Sequence, residues 1–267
     1  MNNTPFFSAP LYALFSKAFY SRVTQSRLSQ GFAYLFYLTM IMTGLFFAVA
    51  MITGVPQADR FVDWVKIEAP ALSVTSEGLQ MKAESPYTMI HPQFGPLATF
   101  DMKSTEVDVS KIQVPVYITS TKLYVRQRAN ETRIVDLLAQ IKEGRRSPNQ
   151  MTEITGAVVE QIYRQVKPWI ILVAFISFTL IYYVMMMVQG LIFSLVGLIF
   201  NRLRTARLAY SAVLNTTFYA VTAGFVLDAL KFLLPFLAVI PSGFFVSLLL
   251  TSVYLFIGIK GTEAKAA

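Results

Sequence analysis

From Pro168 to Asn201 the chain runs for 34 residues without one Asp, Glu, Lys or Arg. Three further stretches are equally uncharged: Gly31 to Gln57, Leu208 to Leu227 and Phe232 to Ile259. A bilayer core is crossed by about 20 apolar helical residues, so each stretch is long enough to cross once. Upright, the longest would reach roughly 50 Å at about 1.5 Å per residue, against a core of about 30 Å. Two crossings and a turn do not fit into it comfortably. Trp169 to about Gln189 is therefore expected to form the span, with Gly190 to Phe200 as a tilted or bent extension along the cytoplasmic face.

Composition agrees with a membrane protein. Charged residues make up 14% and hydrophobic residues 55%, where soluble domains carry roughly 25% charge. With no cysteine and one histidine, His91, disulfides, thiolate metal sites, cysteine nucleophiles and His-pair zinc sites are excluded.

Location of charge sets the expected orientation. Lys17, Arg22 and Arg27 precede the first run, Arg202, Arg204 and Arg207 separate the second from the third, and Lys260 and Lys265 follow the fourth, with Glu263 the only acid in these segments. These segments supply +7 of the net +8, while Asp59 to Lys167 is nearly balanced. Both termini are expected inside the cell and the long loop outside. The "AVA" of Ala48 to Ala50 resembles a cleavage site, but 30 residues precede the run, and an uncleaved span is expected. Lys17, Arg22, Arg202, Arg204 and Arg207 are also candidate contacts for anionic lipid headgroups.

Before the first run, Phe7, Leu11, Leu14, Phe15, Ala18 and Phe19 recur at helical spacing. They predict an amphipathic helix that lies in the headgroup plane, packs under the bundle, or does both. In the loop, "PALSVTSEGLQMKAES" predicts two short strands around Glu77-Gly78, "PLATFDMKS" a third, and Val116 to Thr119 with Leu123 to Arg126 a hairpin. Ile134, Leu137, Leu138 and Ile141 predict an amphipathic helix ending at Gly144, and a second helix is expected from about Met151 to Val166. For chemistry, His91 with Asp101 or Glu84 is the one candidate acid–base set, weighed against a histidine merely sitting in the "IHPQFGP" loop. No phosphate loop, metal-ligand spacing or nucleophile elbow is present.

"FYSRVTQSRLSQGFAYLFYL", "PALSVTSEGL", "ESPYTMIHPQFGPLATFD" and "NRLRTARLAYSAVLNTTFYAVTAGFVLDAL", in that order, resemble an uncharacterised bacterial inner-membrane family. Some of its members are labelled maltodextrin-utilisation proteins, and it is grouped with Yip-type multispanning proteins. At "FDMKST" the chain departs from the family pattern: Asp101 matches, but the Thr that follows it elsewhere is absent. The resemblance implies fold and location and carries no catalytic residue.

Within "VLDALKFLLP", Asp228 and Lys231 lie three apart on one helical face close to the end of the third run. Either they neutralise each other and fix the depth of the span, or Asp228 faces the bundle interior and bonds another helix or an ion. Asn215, Thr216 and Thr217 lie about three turns deeper, as a polar seam or as interhelical bonds.

The expected architecture is a membrane α-helical, four-span bundle with an extracytoplasmic α+β domain between spans 1 and 2 and an N-terminal amphipathic helix. Its segments are 1–30 (cytoplasmic, amphipathic), 31–55 (span 1), 56–167 (outside domain), 168–200 (span 2 with its extension), 201–207 (basic loop), 208–231 (span 3), 232–241 (outer turn), 242–259 (span 4) and 260–267 (cytoplasmic tail). The expected function is that of a non-enzymatic scaffold or accessory protein of the inner membrane. Its outside domain would bind a partner or envelope ligand. The alternatives are a component of a transport system, related to oligosaccharides, and a membrane enzyme acting on lipid or cell-wall precursors. No cofactor or metal is expected. The expected partners are the lipid bilayer and another membrane or envelope protein, not nucleic acid, and the oligomeric state is left open.

Overall fold

The computed structural model describes residues 6–75, 77–128, 131–139, 152–241 and 243–261. The chain divides into two compact units, Gly54–Ile170 and the combination of Met1–Thr53 with Ile171–Ala267.

The second of these is helical. A short 3₁₀ turn leads into α1 (Ala9–Phe15) and α2 (Lys17–Val23), followed by α3 (Leu28–Glu68), α4 (Gly156–Arg202), α5 (Tyr210–Ala220), α6 (Thr222–Leu233) and α7 (Phe244–Gly261). Among the described residues, three helices are long and apolar enough to cross a membrane: α3, α4 and the Tyr210–Leu233 pair. The apolar part of α7, Phe244–Lys260, is shorter. Both long helices contain a proline, Pro56 in α3 and Pro168 in α4, each close to where the units part. α4 continues to Arg202 without a break, so Gly190 to Phe200 prolongs the same helix.

Lipid tails are as apolar as leucine, so helices in a bilayer associate through close packing and hydrogen bonds rather than through loss of water. Both are visible. Gly190 and Gly197 of α4 lie two turns apart, and a Cβ on either would meet Phe218 or Val213 of α5 at 2.7 Å. Gly258 of α7 lies equally close to Tyr20 and Thr216, and Gly31 of α3 leaves room for Asn215. Around these contacts the rings of Tyr34 and Tyr219 stack at 4.0 Å, and Tyr34 shares a 2.6 Å hydrogen bond with Thr222. Phe193, Val213, Phe218, Leu255 and Ile259 are fully or almost fully buried.

The N-terminal segment is two helices rather than one. Ser16 adopts an extended backbone, ends α1, and caps α2 by accepting from Phe19 N. This break divides the apolar face that the periodicity predicts. Ala9, Ala13, Phe19, Tyr20 and Val23 are buried, whereas Phe7, Leu11 and Phe15 are 75%, 63% and 82% exposed. Small alanines let α1 approach the bundle, and the large side chains remain outside.

The other unit carries two sheets, ordered β2-β1-β8 and β3-β4-β5-β6-β7. Their strands are β1 (Leu72–Thr75), β2 (Gly78–Met81), β3 (Tyr87–His91), β4 (Gly95–Asp101), β5 (Val116–Thr119), β6 (Lys122–Arg128), β7 (Glu131–Asp136) and β8 (Thr152–Ile154). All pairings are antiparallel except β4 with β5. The expected strands at Leu72–Met81 and Gly95–Asp101 and the β5–β6 hairpin are present. The expected helix does not begin at Ile134, which lies on β7 and pairs with Tyr124; among the described residues helix begins at Leu137 and is seen to Ala139. Cross-strand pairing there outweighs a weak local period. Ile141 and Gly144 lie outside the described residues. Thr152–Ile154 is strand, and α4 begins only at Gly156, whose missing side chain leaves room for the Lys66 backbone.

Within this unit the segments of α3 and α4 are clasped by charge. Lys167 Nζ donates to both Asp59 oxygens at 2.7 and 2.8 Å, Tyr163 donates to Asp59 at 2.8 Å, and Lys66 pairs with Glu160 at 2.6 Å. Hydrogen bonds from Lys167 and Tyr163 hold the Asp59 carboxyl below its ordinary range.

Candidate functional site

α6 and α7 touch where Gly224 faces Ser247: a Cβ on Gly224 would lie 2.7 Å from Ser247 Oγ. α4 joins them at this level, because Gln189 Nε2 donates to Ser247 Oγ at 3.1 Å. α7 starts only one turn before Ser247, at Phe244, preceded by Gly243 with φ +114°. A cavity of about 530 Å³ opens there.

Helical spacing determines what lines it. On α4, Tyr182, Met185, Met186 and Gln189 follow at i, i+3, i+4 and i+7 and form one stripe. On α6, Phe225 and Asp228 share a face, and Asp228 lies one turn beyond Gly224. Phe244 and Ser247 contribute the edge of α7. The lining is apolar apart from one carboxylate, one carboxamide and two hydroxyls.

Asp228 and Lys231 do not form an ion pair. The Lys231 ammonium donates to the Ile240 carbonyl, in the turn that follows α6. Lys231 stands in the last turn of α6, where its long stem reaches past the helix end. Among the described residues, Asp228 accepts no hydrogen bond and lies in no salt bridge; Lys231 acts on it only as a nearby charge. Its side chain is left facing the cavity.

A family model described as "Protein of unknown function (DUF1189)" matches residues 7–259. The chain belongs to that family. Searches of curated proteins and of solved structures return no match. The matched span includes every residue that lines the cavity.

The remaining sequence candidates separate into distinct environments. Asn215 is fully buried, and its Nδ2 donates to Val23 O at 2.8 Å and Ser26 Oγ at 2.7 Å, tying α5 to the link between α2 and α3. Thr216 and Thr217 instead bond the carbonyls of Ala212 and Val213 in their own helix, so the three do not make a continuous seam. Arg204 is 8% exposed and donates to the Ala206 and Ile259 carbonyls, the latter in the last turn of α7. It serves the fold and is not available to lipid. Arg202, Arg207 and Lys17 are exposed, and the exposed Arg22 lies over the Phe19 ring.

His91 and Asp101 do not meet. The His91 ring sits among Phe61, Trp64 and Phe94, and its Nδ1 accepts from Gln93 N. Asp101 stands beyond the far end of the β3–β4 ladder, opposite the end where His91 pairs with Gly95, roughly 16–20 Å away at about 3.3 Å per strand residue. It accepts from Tyr117 at 3.0 Å and from Lys103 N at 3.1 Å. Burial raises the Asp101 carboxyl, but hydrogen bonds from Ser104, Tyr117 and Lys103 outweigh it and leave the group below its ordinary value. Burial, then the bond to Asp101, pushes Tyr117 up to about 12. Glu84 is exposed. Tyr182, Gln189 and Ser247 were not singled out in the sequence. The available signal was a lone glutamine at i+7 from a tyrosine inside an uncharged helix.

Proposed function

We propose that the protein is a non-enzymatic accessory protein of the bacterial inner membrane whose helical unit holds a bilayer-derived amphiphile in the Asp228 cavity. Four spans place both termini in the cytoplasm and the sheet-bearing unit outside, where it binds a partner or envelope ligand. Lys17, Arg22, Arg27, Arg202, Arg207 and Lys260 support this orientation: they belong to the segments at one end of the helical unit, and Asp228 is the only acid among its described residues. Reporter fusions at Asn149 and the C-terminus should accordingly give opposite answers.

The observation that carries the reading is a 530 Å³ apolar cavity, within the size range of small-molecule sites, that converges on a few polar groups. Its lining favours an amphiphile over an oligosaccharide, which would need many more hydrogen-bonding partners. Below the cavity, Gly190 against Phe218 and Gly197 against Val213 pack closely, which favours holding a ligand over passing it through. Keeping His91 apart from Asp101 favours a binding role over catalysis.

Native mass spectrometry of the full chain released from lipid nanodiscs tests this. Met185→Trp narrows the cavity from a side chain that is already largely exposed. The wild type should retain lipid that Met185→Trp loses, with helicity and melting temperature unchanged. Equal retention by both proteins would refute the cavity as the binding site.

A further inference from the structure

Building on the amphiphile reading, we infer that the cavity selects a ligand whose head is an ammonium group. A carboxylate within an apolar helical unit is costly. Asp228 is exposed to the cavity side near the end of α6, and ionisable groups among apolar helices ordinarily sit with a partner of opposite charge. Asp228 has none in hydrogen-bonding contact: the obvious candidate, Lys231, turns to the Ile240 carbonyl. Among the described residues, the other basic side chains of the unit belong to segments gathered at its other end, where α2, the start of α5 and the end of α7 meet. The missing partner is therefore a cation supplied from outside the chain.

The surroundings match an ammonium rather than a metal ion. Asp228 is the only acidic residue lining the cavity, whereas hard divalent cations gather several oxygen ligands. An ammonium needs one carboxylate, a few neutral acceptors and aromatic faces. Tyr182, Gln189 and Ser247 offer the acceptors, and Tyr182, Phe225 and Phe244 the rings, whose negative faces attract cations. Met185 and Met186 complete a polarisable apolar wall suited to a chain of variable shape. The ligand is thus an alkyl or acyl chain carrying a primary ammonium head. Two sources supply that chemistry: an ethanolamine phospholipid of the bilayer, or a free single-chain amine.

The test uses the full chain in nanodiscs, analysed by native mass spectrometry, with ethanolamine, choline and glycerol phospholipids of identical acyl chains. Losing a hydrogen bond to a charged group from a site of this kind corresponds to roughly ten- to hundred-fold in affinity. Ethanolamine lipid should be retained preferentially by about that factor, and Asp228→Asn should remove the preference while leaving chain retention intact. Lys231→Met, which leaves the carboxylate in place, should preserve it. Dodecylamine is the competing probe. If it displaces ethanolamine lipid from wild type but not from Asp228→Asn, the ammonium chemistry holds; if no lipid preference exists and only dodecylamine binds in an Asp228-dependent way, the source is a free amine. Retention sensitive to Met185→Trp but indifferent to headgroup, to dodecylamine and to Asp228→Asn would overturn the ammonium inference and leave the cavity reading standing. Retention indifferent to Met185→Trp as well would overturn both.

Discussion

Asn215 and Gly31 form a contact at which a single substitution would disturb the helical unit. A Cβ at Gly31 would overlap the Asn215 carboxamide oxygen and lie 3.0 Å from the Phe218 ring. The same carboxamide oxygen is buried without a hydrogen-bond partner, while its nitrogen makes the bonds to Val23 and Ser26. Asn215→Ala removes those two short bonds. Interhelical hydrogen bonds in bilayers average about 0.6 kcal/mol and reach about 1.7, and the Val23 carbonyl keeps its bonds from Ser26 N and Oγ. The loss is therefore roughly 1–3 kcal/mol. Gly31→Ala overpacks the same site at about 1–3 kcal/mol.

Because the clash at Gly31 is largely with the Asn215 side chain, the two effects should not add. Once the carboxamide is gone, the new methyl group has somewhere to go, and the double variant should be about 1–2 kcal/mol more stable than the sum predicts. Unfolding of the four proteins in mixed detergent micelles measures this. Tryptic cleavage at Arg22 and Arg27 reports independently on whether the N-terminal helices have detached. Simple additivity, or an Asn215→Ala loss below about 0.5 kcal/mol, would refute the claim that this contact fastens α2 and α3 to α5.

Two further outcomes are expected. Arg204→Ala should cost about 1–3 kcal/mol by removing the buried guanidinium's hydrogen bonds to the Ala206 and Ile259 carbonyls, while Arg202→Ala and Arg207→Ala stay within about 0.5. The latter two should instead weaken binding to anionic vesicles by about 1 kcal/mol each, a loss that high salt abolishes; the reverse pattern in melting and vesicle flotation would contradict the burial of Arg204. Because the Asp59 carboxyl is held below its ordinary value of 3.8 by Lys167 and Tyr163, its contribution is present above that value and is lost as the pH falls through the lowered one. The stability difference between wild type and Asp59→Asn should therefore shrink on acidification below about pH 4, and a difference that grows there would be inconsistent with the clasp.

Helix existence was legible in the uncharged runs because bilayer length is a strong constraint that a sequence must satisfy residue by residue. The β5–β6 hairpin was legible for a similar reason, since alternation over Val116 to Arg126 has one natural reading. What failed were features decided by tertiary contacts. Ile134, Leu137 and Leu138 have a helical spacing, yet Ile134 pairs with Tyr124 in the five-stranded sheet. Phe7, Leu11 and Phe15 share one helical face, but spacing alone does not say which side meets the bundle; the break at Ser16 turns Ala9 and Ala13 to it and leaves the larger side chains exposed. Arg204 cannot be told from Arg202 and Arg207 by sequence, because its separate role depends on where α7 ends. The cavity was less legible still: it is a space left by the late start of α7, and only Asp228 among its polar lining residues carries a charge that draws attention.

The placement of that charge follows from two helix ends. Lys231 is in the last turn of α6, where carbonyls lack partners within the helix and a cation is favoured. Asp228 lies one turn earlier and cannot follow it, because its side chain is short and its face is the one that carries Gly224 toward α7. α7 begins too late to cover that face, and Phe244 and Ser247 border the cavity rather than fill it. A longer α7 would bury the carboxylate against apolar side chains at a prohibitive cost, whereas a Lys231 turned inward would leave the Ile240 carbonyl without its donor. The late start of α7 thus leaves the Asp228 carboxylate uncovered, and beside it the space that the proposed ligand's head and chain would fill.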